Sequence, residues 1–223
     1  MSALEPTHES LRVMAGRTPW TRLLAGWVLA YAAGVAAAGM VYGAGWWGGA
    51  PWEVDALTAA DAMRAGWLDI IMLYLPIFGT NYTLAPLVAI AALVLYRAGR
   101  VSVAVHLAVV QLGSWTLNPA LKFSVPRARP DLFEQRGQHA FPAFPSGHVI
   151  AVVAVLFTVA WLIHRSGRGT WGYWVVGVFF LINSFSRVYL QVHWPTDVLA
   201  GAVVGGVWLV WTLGVFAPLH SRI

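Results

Sequence analysis

Long apolar runs dominate this sequence, and several approach the length that crosses a lipid bilayer. A helix needs about 20 consecutive apolar residues to span the hydrocarbon core. The composition agrees, because 59% of the residues are hydrophobic and only 10% are charged, whereas soluble domains carry about 25% charged residues. The sequence therefore predicts an all-α, polytopic membrane protein.

Six apolar segments separated by polar turns predict six transmembrane helices in one bundle. Their predicted bounds are about 21–45, a second span ending at 96, then 101–121, 148–163, 171–187 and 195–216. The chain is interpreted as one domain over residues 1–223, with a cytoplasmic tail over 1–20 and a motif-bearing core over 118–205. The first run, Leu23 to Val41, is longer than a typical signal-peptide core and is interpreted as a retained span.

One segment before the second span has a mixed pattern. Between Ala56 and Phe78 the apolar face is interrupted by Arg64 and Asp69. This pattern favours an amphipathic helix lying in the membrane interface, and a full additional span is the alternative.

The basic residues are distributed unevenly between the two predicted faces of the membrane. Eight arginines fall on one face, and the preference of Lys and Arg for the cytoplasmic side assigns that face and both termini to the cytoplasm. These are Arg12, Arg17, Arg22, Arg97, Arg100, Arg165, Arg168 and Arg222. The opposite face carries Arg64 and a cluster of five cations: Lys122, Arg127, Arg129, Arg136 and Arg187. Because this cluster violates the positive-inside preference, it predicts an anion site on the non-cytoplasmic face.

The composition argues against nucleic-acid binding, cysteine chemistry and metal binding. The net charge is +5, but no basic stripe with interleaved aromatic residues indicates nucleic-acid binding. The chain has no Cys, which excludes disulfides, thiol nucleophiles and Cys-based metal sites. No cluster of His, Asp and Glu has metal-ligand spacing either, so neither a metal nor another cofactor is predicted.

Three polar segments lie on the face that carries the five unexpected cations. The first reads K-x6-R-P from Lys122 to Pro130, and the second is Pro145-Ser146-Gly147-His148. The third reads S-R-x5-H-x3-D from Ser186 to Asp197 and joins the last two predicted spans.

These segments hold groups that suit a phosphate dianion. Lys122, Arg129 and Arg187 supply three cations, and Arg presents a planar fork that matches phosphate oxygens. Ser146 is placed as a helix N-cap and Gly147 permits close backbone approach. The helix that follows is expected to direct free N–H groups at an anion.

Two histidines and one aspartate complete the predicted site. Pro195 suits the first position of a helix, which puts His193 just before the last span and Asp197 in its first turn. A carboxylate there can reach one imidazole nitrogen and leave the other free to attack phosphorus. Together with His148, these groups are sufficient for covalent phosphoryl transfer without a metal.

In order and spacing, the three segments resemble the signature motifs of the type 2 phosphatidic acid phosphatase superfamily, the lipid phosphate phosphatases. All eleven specified positions match. The resemblance implies that His193 forms a phosphohistidine, that Asp197 orients it and that His148 protonates the leaving oxygen. It also implies which groups hold the phosphoryl oxygens: Lys122, Arg129, Arg187 and the backbone around Ser146 and Gly147. Gln191 departs from the family, in which Gly is common two residues before the nucleophile.

The expected function is hydrolysis of a lipid phosphate monoester or pyrophosphate by a metal-independent membrane phosphatase. A phosphotransferase of the same fold and a non-catalytic lipid-phosphate binder or translocator are the alternatives. Phosphatidate, phosphatidylglycerophosphate, undecaprenyl pyrophosphate and phosphorylated lipid A all remain open as substrates, and so does the oligomeric state. Gln111 and Asn118 are interpreted as structural polar residues of the third span, and Arg127 and Arg136 as solvated loop charges or head-group contacts.

Overall fold

A computed structural model describes residues 18–135 and 141–220, together with Val13 and Gly16, and these ranges are helical without a β-strand. The helices are α1 (Trp20–Gly43), α2 (Pro51–Ala62), α3 (Gly66–Tyr74), α4 (Asn81–Arg97), α5 (Val101–Ser124), α6 (Gly147–Arg165), α7 (Trp171–Tyr189) and α8 (Pro195–Phe216). Short 3-10 turns follow α3 at Leu75–Gly79 and α8 at Ala217–Leu219. The predicted all-α class is confirmed for these residues. Some predictions fall on residues outside the described ranges. They are the cytoplasmic positions of Arg12, Arg17 and Arg222, the place of Arg136 in the cation cluster, and most of the cytoplasmic tail over 1–20.

Four helices are long and apolar enough to cross a membrane. They are α1, α5, α6 and α8 with its final turn. The segments Gly66–Gly79 and Asn81–Arg97 qualify together as a fifth, bent by 43° at the break. Helix α7 is not among them, since Asn183, Ser186 and Arg187 make its last two turns polar. Four or five spans follow from length and apolarity, so this criterion does not confirm the predicted six.

The segment 56–78 differs from the single interfacial helix that the sequence predicts. It contains the end of α2, a break at residues 63–65, and then α3 with its 3-10 turn. The two polar residues that interrupt the apolar pattern lie at the break and in the first turn of α3. Arg64 pairs with Asp61 at 2.8 Å, while Asp69 accepts a hydrogen bond from Tyr189 at 2.8 Å, so each is held by a different neighbour. After this break, α3 with its 3-10 turn and α4 are apolar enough to cross a membrane only when taken together, with a bend of 43° between them.

Helix α8 is the centre of the bundle and packs against α1, α5 and α6. Gly201 and Gly205 allow its close approach to α6, since a Cβ at these positions would lie 2.7 Å from the Ser146 carbonyl oxygen and 2.9 Å from that of Ile150. This close contact of small residues is typical of packed membrane helices. It fixes the start of α6 beside the start of α8, the two ends that carry the second and third motifs.

Candidate active site

A cavity of about 430 Å³ opens where α4, α5 and α6 meet the loop before α8. Five of the predicted site residues line it: Lys122, Arg129, Gly147, His148 and His193. Its other lining residues are Thr80, Asn81, Tyr82, Trp115, Asn118, Pro119 and Phe141. The remaining three predicted residues, Ser146, Arg187 and Asp197, are buried behind this wall. Residues from all three motifs are therefore brought to one place.

Lys122 and Arg129 are held in the cavity wall by backbone carbonyl groups of the loop before α6. The Lys122 ammonium donates to the Pro142 carbonyl at 2.5 Å, and Arg129 donates to the Phe141 carbonyl at 3.1 Å and to the Val192 carbonyl. Burial lowers the pKa of the Arg129 guanidinium to about 10, and the nearby Asp197 carboxylate opposes that shift. Arg129 therefore stays charged at neutral pH, as anion binding requires.

His148 is paired with Arg187 across the start of α6 and the end of α7. The Arg187 Nη1 lies 3.2 Å from His148 Nε2, and its Nε donates to the Ser186 hydroxyl at 3.0 Å. Arginine has donors only, so Nε2 of His148 is the acceptor in this pairing. A phosphate that draws Arg187 away would release this nitrogen for proton transfer.

His193 and Asp197 are adjacent through the first turn of α8. The His193 Nδ1 is 3.5 Å from Asp197 Oδ2, a separation longer than an ordinary hydrogen bond but short enough for strong electrostatic attraction. The same oxygen accepts the Trp194 backbone N–H at 2.9 Å, which caps the helix. Asp197 therefore faces Nδ1 and leaves Nε2 as the nitrogen on the other side of the ring.

Ser146 and Gly147 start α6, although not with the side-chain cap that the sequence predicts. Ser146 is the N-cap residue, but its hydroxyl makes no capping bond and has no hydrogen-bond partner among the described residues. The Ser146 N–H donates to the Asp197 carbonyl at 3.0 Å, which ties the second motif to the third. A Cβ on Gly147 would come within 2.6 Å of the Asn118 side-chain amide, so a larger residue here would displace Asn118 in the cavity wall.

Asn118 is a cavity residue that sequence reasoning left out of the site. It lines the cavity beside Gly147, and its Oδ1 is buried without a partner among the described residues. Its spacing from Lys122 could have revealed it. Asn118 precedes Lys122 by one helical turn, so both residues lie on the same face of α5. By contrast, Gln111 bonds to Asn81 at 2.9 Å, a contact between α5 and α4.

Arg127 is the second residue whose role the sequence did not reveal. It is completely buried and forms ion pairs with Asp197 at 2.7 Å and Glu53 at 3.2 Å. Its guanidinium also lies 5.3 Å from the centre of the Trp194 ring. The interpretation of Arg127 as a solvated loop charge or head-group contact is therefore wrong, because burial separates it from solvent and from the cavity.

Gln191 occupies the turn that leads into His193, and its backbone conformation is one that suits glycine, the residue common at this position in the family. Its φ of 59° is left-handed, a region where glycine has no steric penalty. The side chain donates to the Leu57 carbonyl at 2.9 Å and is fully buried. Gln191 thus accepts a strained backbone and connects the turn before His193 to α2.

The described residues contain no group of three or more His, Asp and Glu side chains arranged to hold a metal ion. What converges on the cavity instead is two histidines with guanidinium and ammonium groups around them. A helical membrane bundle with such a cavity defines an integral-membrane protein with a site for a phosphate-like anion.

Comparison with known proteins identifies the family. The sequence model of the PAP2 superfamily matches residues 103–220, and the chain belongs to this superfamily, which confirms the resemblance of its three motifs.

Two relatives and one solved structure extend the match beyond the motifs. Phosphatidylglycerophosphatase B of Bacillus subtilis (strain 168) is 30% identical over 152 residues, covering 66% of this chain and 74% of that protein. Undecaprenyl-diphosphatase of Sulfolobus acidocaldarius is 27% identical over 149 residues, covering 62% of this chain and 66% of that protein. The crystal structure of a transmembrane PAP2-type phosphatidylglycerolphosphate phosphatase from Bacillus subtilis matches the fold with a TM-score of 0.74 and 24% identity, over 88% of this chain and 98% of that one. The likeness establishes a PAP2 membrane-phosphatase fold.

Proposed function

We propose that this protein is a membrane phosphatase that hydrolyses a lipid phosphate monoester or diphosphate through a phosphohistidine on His193. The observation that carries the proposal is the cavity itself, where His148 and His193 meet Lys122 and Arg129. The names of the relatives support the same chemistry, since they are phosphatases or diphosphatases of phosphorylated lipids.

The phosphoryl group is bound by the cations that surround the two histidines. Lys122 and Arg129 contribute their charges from the cavity wall. Arg187 reaches the phosphoryl oxygens by leaving His148 Nε2, which it contacts at 3.2 Å. The N–H groups at the start of α6 add a neutral anion site beside Gly147. These groups stabilise the negative charge that the transition state spreads over the phosphoryl oxygens.

The reaction proceeds in two displacements. Once Arg187 has moved to the phosphoryl oxygens, Nε2 of His148 binds a proton. The Nε2 lone pair of His193 then attacks phosphorus, the bond from phosphorus to the lipid oxygen breaks, and His148 gives that oxygen its proton. Water then attacks the phosphohistidine as His148 takes back a proton, and phosphate leaves. The Asp197 carboxylate lies 3.5 Å from Nδ1 and stabilises the positive charge on the ring.

The lipid enters from the side, because the cavity wall includes groups that face the bilayer. Tyr82 at the start of α4 is 79% exposed and Trp115 on α5 is 43% exposed, and their rings stack edge to face at 6.0 Å. Aromatic rings of this kind are enriched at the membrane interface. The tails of the substrate therefore remain in the bilayer between α4 and α5 while the head group reaches His193.

The topology that fits this site has six spans, with the broken α3–α4 unit as the second and α7 as the fifth. Both termini are cytoplasmic and the cavity opens on the non-cytoplasmic side. Arg97, Arg100, Arg165 and Arg168 lie at the opposite ends of the helices from the cavity residues, which supports this orientation. The phosphorylated lipid is the partner in this scheme, and nucleic acid has no place in it.

The test of this function is phosphate release by the purified protein in detergent micelles. The panel consists of phosphatidate, phosphatidylglycerophosphate, undecaprenyl diphosphate and phosphorylated lipid A, each with excess EDTA. We expect free phosphate from at least one lipid with EDTA present, and inhibition by vanadate, which adopts the five-coordinate geometry of phosphorus in transfer. Transfer of the phosphoryl group from the substrate to a second lipid, without release of free phosphate, would indicate a phosphotransferase. Loss of activity in EDTA, restored by Mg²⁺, would contradict the metal-free mechanism.

A further inference from the structure

Glu53 is a buried carboxylate that lies outside the residues matched by the family, 103–220. It belongs to the first turn of α2 and is completely buried. Its Oε1 accepts hydrogen bonds from the Thr196 backbone N–H at 2.9 Å and from the Thr196 hydroxyl at 2.7 Å. Its Oε2 accepts from the Ala50 N–H at 2.9 Å and from Arg127 at 3.2 Å. Each oxygen thus has two donors, and one of the four contacts is an ion pair.

Arg127 divides its guanidinium between Glu53 and the motif residue Asp197. Its Nη1 donates to Asp197 Oδ1 at 2.7 Å and to the Thr196 hydroxyl at 2.6 Å. Its Nη2 donates to Glu53 at 3.2 Å and to the Trp46 carbonyl at 2.7 Å, and its Nε donates to the Trp47 carbonyl at 3.1 Å. These contacts use all five N–H donors of an arginine. Arg127 therefore cannot serve as a substrate ligand without breaking this network.

The charges of the network do not cancel. One guanidinium faces two carboxylates, so with both ionised the cluster of Glu53, Arg127 and Asp197 keeps one net negative charge. Asp197 Oδ1 is bound to Arg127, whereas Asp197 Oδ2 faces His193 Nδ1 at 3.5 Å. Because Glu53 takes part of the Arg127 charge, more of the negative charge remains on the side of Asp197 that His193 meets.

From this geometry we infer that Glu53 is a positioning residue for the nucleophile, acting through Arg127 and Asp197 on His193. The inference rests on the proposed function, in which His193 attacks phosphorus and its ring becomes positively charged. Glu53 fixes where Arg127 sits and limits how far Arg127 neutralises Asp197. Full neutralisation of Asp197 would weaken its stabilisation of the charged ring.

Other charged groups also face His193, and they are the same in every variant below. Lys122 and Arg129 share the cavity wall with it, His148 lies on the same wall, and Arg187 binds His148. Asp197 is the carboxylate beside its ring. A difference between variants at position 53 therefore reports the change at Glu53 itself, carried by its contacts with Arg127 and Thr196.

The experiment compares Glu53→Gln with Asp55→Asn, which removes the same charge from an exposed position of α2. Hydrolysis of p-nitrophenyl phosphate is measured against pH in detergent. Removing a negative charge favours the neutral imidazole, so the acidic limb of kcat/KM for Glu53→Gln should move to lower pH, by roughly 0.5 units. At the optimum, kcat should fall about tenfold while KM stays within about twofold, since Glu53 does not line the cavity. Asp55→Asn should match the wild type in all three quantities.

Two further variants separate the effect of the charge on Glu53 from the effect of its hydrogen bonds on the position of Arg127. Glu53→Asp keeps the charge. The acidic limb of its kcat/KM profile should lie at the same pH as in the wild type, while kcat remains reduced. Thr196→Val removes the hydroxyl that lies between Glu53 and Arg127 but keeps every charge and nearly the same volume. It should lower kcat about threefold without moving the limb. If Glu53→Gln does not fold, the Thr196→Val result decides, because wild-type kcat in that variant would overturn the inference.

Vanadate binding gives the same comparison without turnover. Vanadate binding is followed by tryptophan fluorescence as a function of pH. The acidic limb of this binding curve should also lie at lower pH for Glu53→Gln than for the wild type. Identical limbs for Glu53→Gln and the wild type, in hydrolysis and in vanadate binding, would overturn the role of Glu53. Absence of phosphate release by the wild type, with a shifted vanadate limb in Glu53→Gln, would instead overturn the proposed function and leave the network's effect on His193 standing.

Discussion

At the scale of single residues, His148 and His193 line one cavity but have different neighbours. His193 lies beside a carboxylate, whereas Nε2 of His148 meets the Arg187 guanidinium at 3.2 Å. A ring beside a carboxylate suits an attacking group that becomes positive. A ring whose nitrogen is released when Arg187 turns to phosphate suits an acid and base.

The leaving group of the substrate tests the assignment of His148. His148→Ala should lower kcat/KM for a lipid substrate by roughly 10²–10⁴-fold, because the alkoxide or phosphate then leaves without a proton. For p-nitrophenyl phosphate, whose leaving group needs little protonation, the loss should be about tenfold. Steady-state kinetics with both substrates measure the difference. Equal losses would mean that His148 is not the general acid.

Gln191 offers a second residue-scale prediction, about stability. Its φ of 59° strains any residue except glycine, by about 1–2 kcal/mol. Gln191→Ala and Gln191→Gly both lose the hydrogen bond to the Leu57 carbonyl, but only the glycine variant relieves the strain. Gln191→Gly should therefore be more stable than Gln191→Ala by about 1 kcal/mol, measured by thermal unfolding in detergent. An alanine variant at least as stable as the glycine variant would show that the backbone is not strained in solution.

The sequence could predict the charged and imidazole groups that line the cavity, but not the buried residues that hold them. Lys122, His148 and His193 belong to motifs with fixed spacing, so their convergence follows from the order of the helices. Arg127 and Glu53 are 74 residues apart, and nothing in local pattern or periodicity reveals that such residues meet. A charged residue in a polar loop is usually solvated, and only the fold shows that both are buried.

At the scale of elements, the contact between α6 and α8 sets the distance between the second and third motifs. Gly201 and Gly205 let the helices approach until a Cβ at position 201 would lie 2.7 Å from the Ser146 carbonyl oxygen. The Ser146 N–H bonds to the Asp197 carbonyl at 3.0 Å across the same contact. Separation of the two helices would therefore move His148 away from His193.

Gly201→Ala should both destabilise the protein, by about 1–3 kcal/mol, and lower kcat, because backbone rather than a flexible side chain blocks the new methyl group. Gly206→Ala on the same helix is the matched control, since a Cβ there meets nothing within 4 Å. That control should be neutral or stabilising by up to about 1 kcal/mol, as alanine favours the helix. Thermal unfolding and phosphate release measure both effects. Equal behaviour of the two variants would contradict the close packing of α6 on α8.

Helix positions were more predictable than the role of the segment between the first two spans. Apolar length and the turns at Arg97–Arg100 and Arg165–Arg168 locate α4 to α7 to within a few residues. The segment 56–78 resisted prediction because its polar residues serve partners distant in sequence. Asp69 accepts a hydrogen bond from Tyr189, and Arg64, besides its ion pair with Asp61, donates to the Glu134 carbonyl.

At the scale of the whole molecule, the proposed orientation puts the cavity on the non-cytoplasmic side. The chain has no native Cys, so an introduced thiol is the single reactive one. Asp131 is exposed in the loop after the first motif, and Thr170 is exposed in the turn before α7. In intact cells, a membrane-impermeant maleimide should label Asp131→Cys at once and Thr170→Cys only after lysis. The reverse pattern would place the active site in the cytoplasm.

The phosphohistidine is the claim on which the proposed function depends most directly. Purified protein, mixed with a ³²P-labelled substrate from the lipid panel and quenched within milliseconds, should carry label that is stable in base and lost in acid. His193→Ala should carry none, because His193 is the cavity histidine beside Asp197, at 3.5 Å, whereas His148 contacts Arg187. Label that persists in His193→Ala, or that is stable in acid and lost in base, would contradict attack by His193.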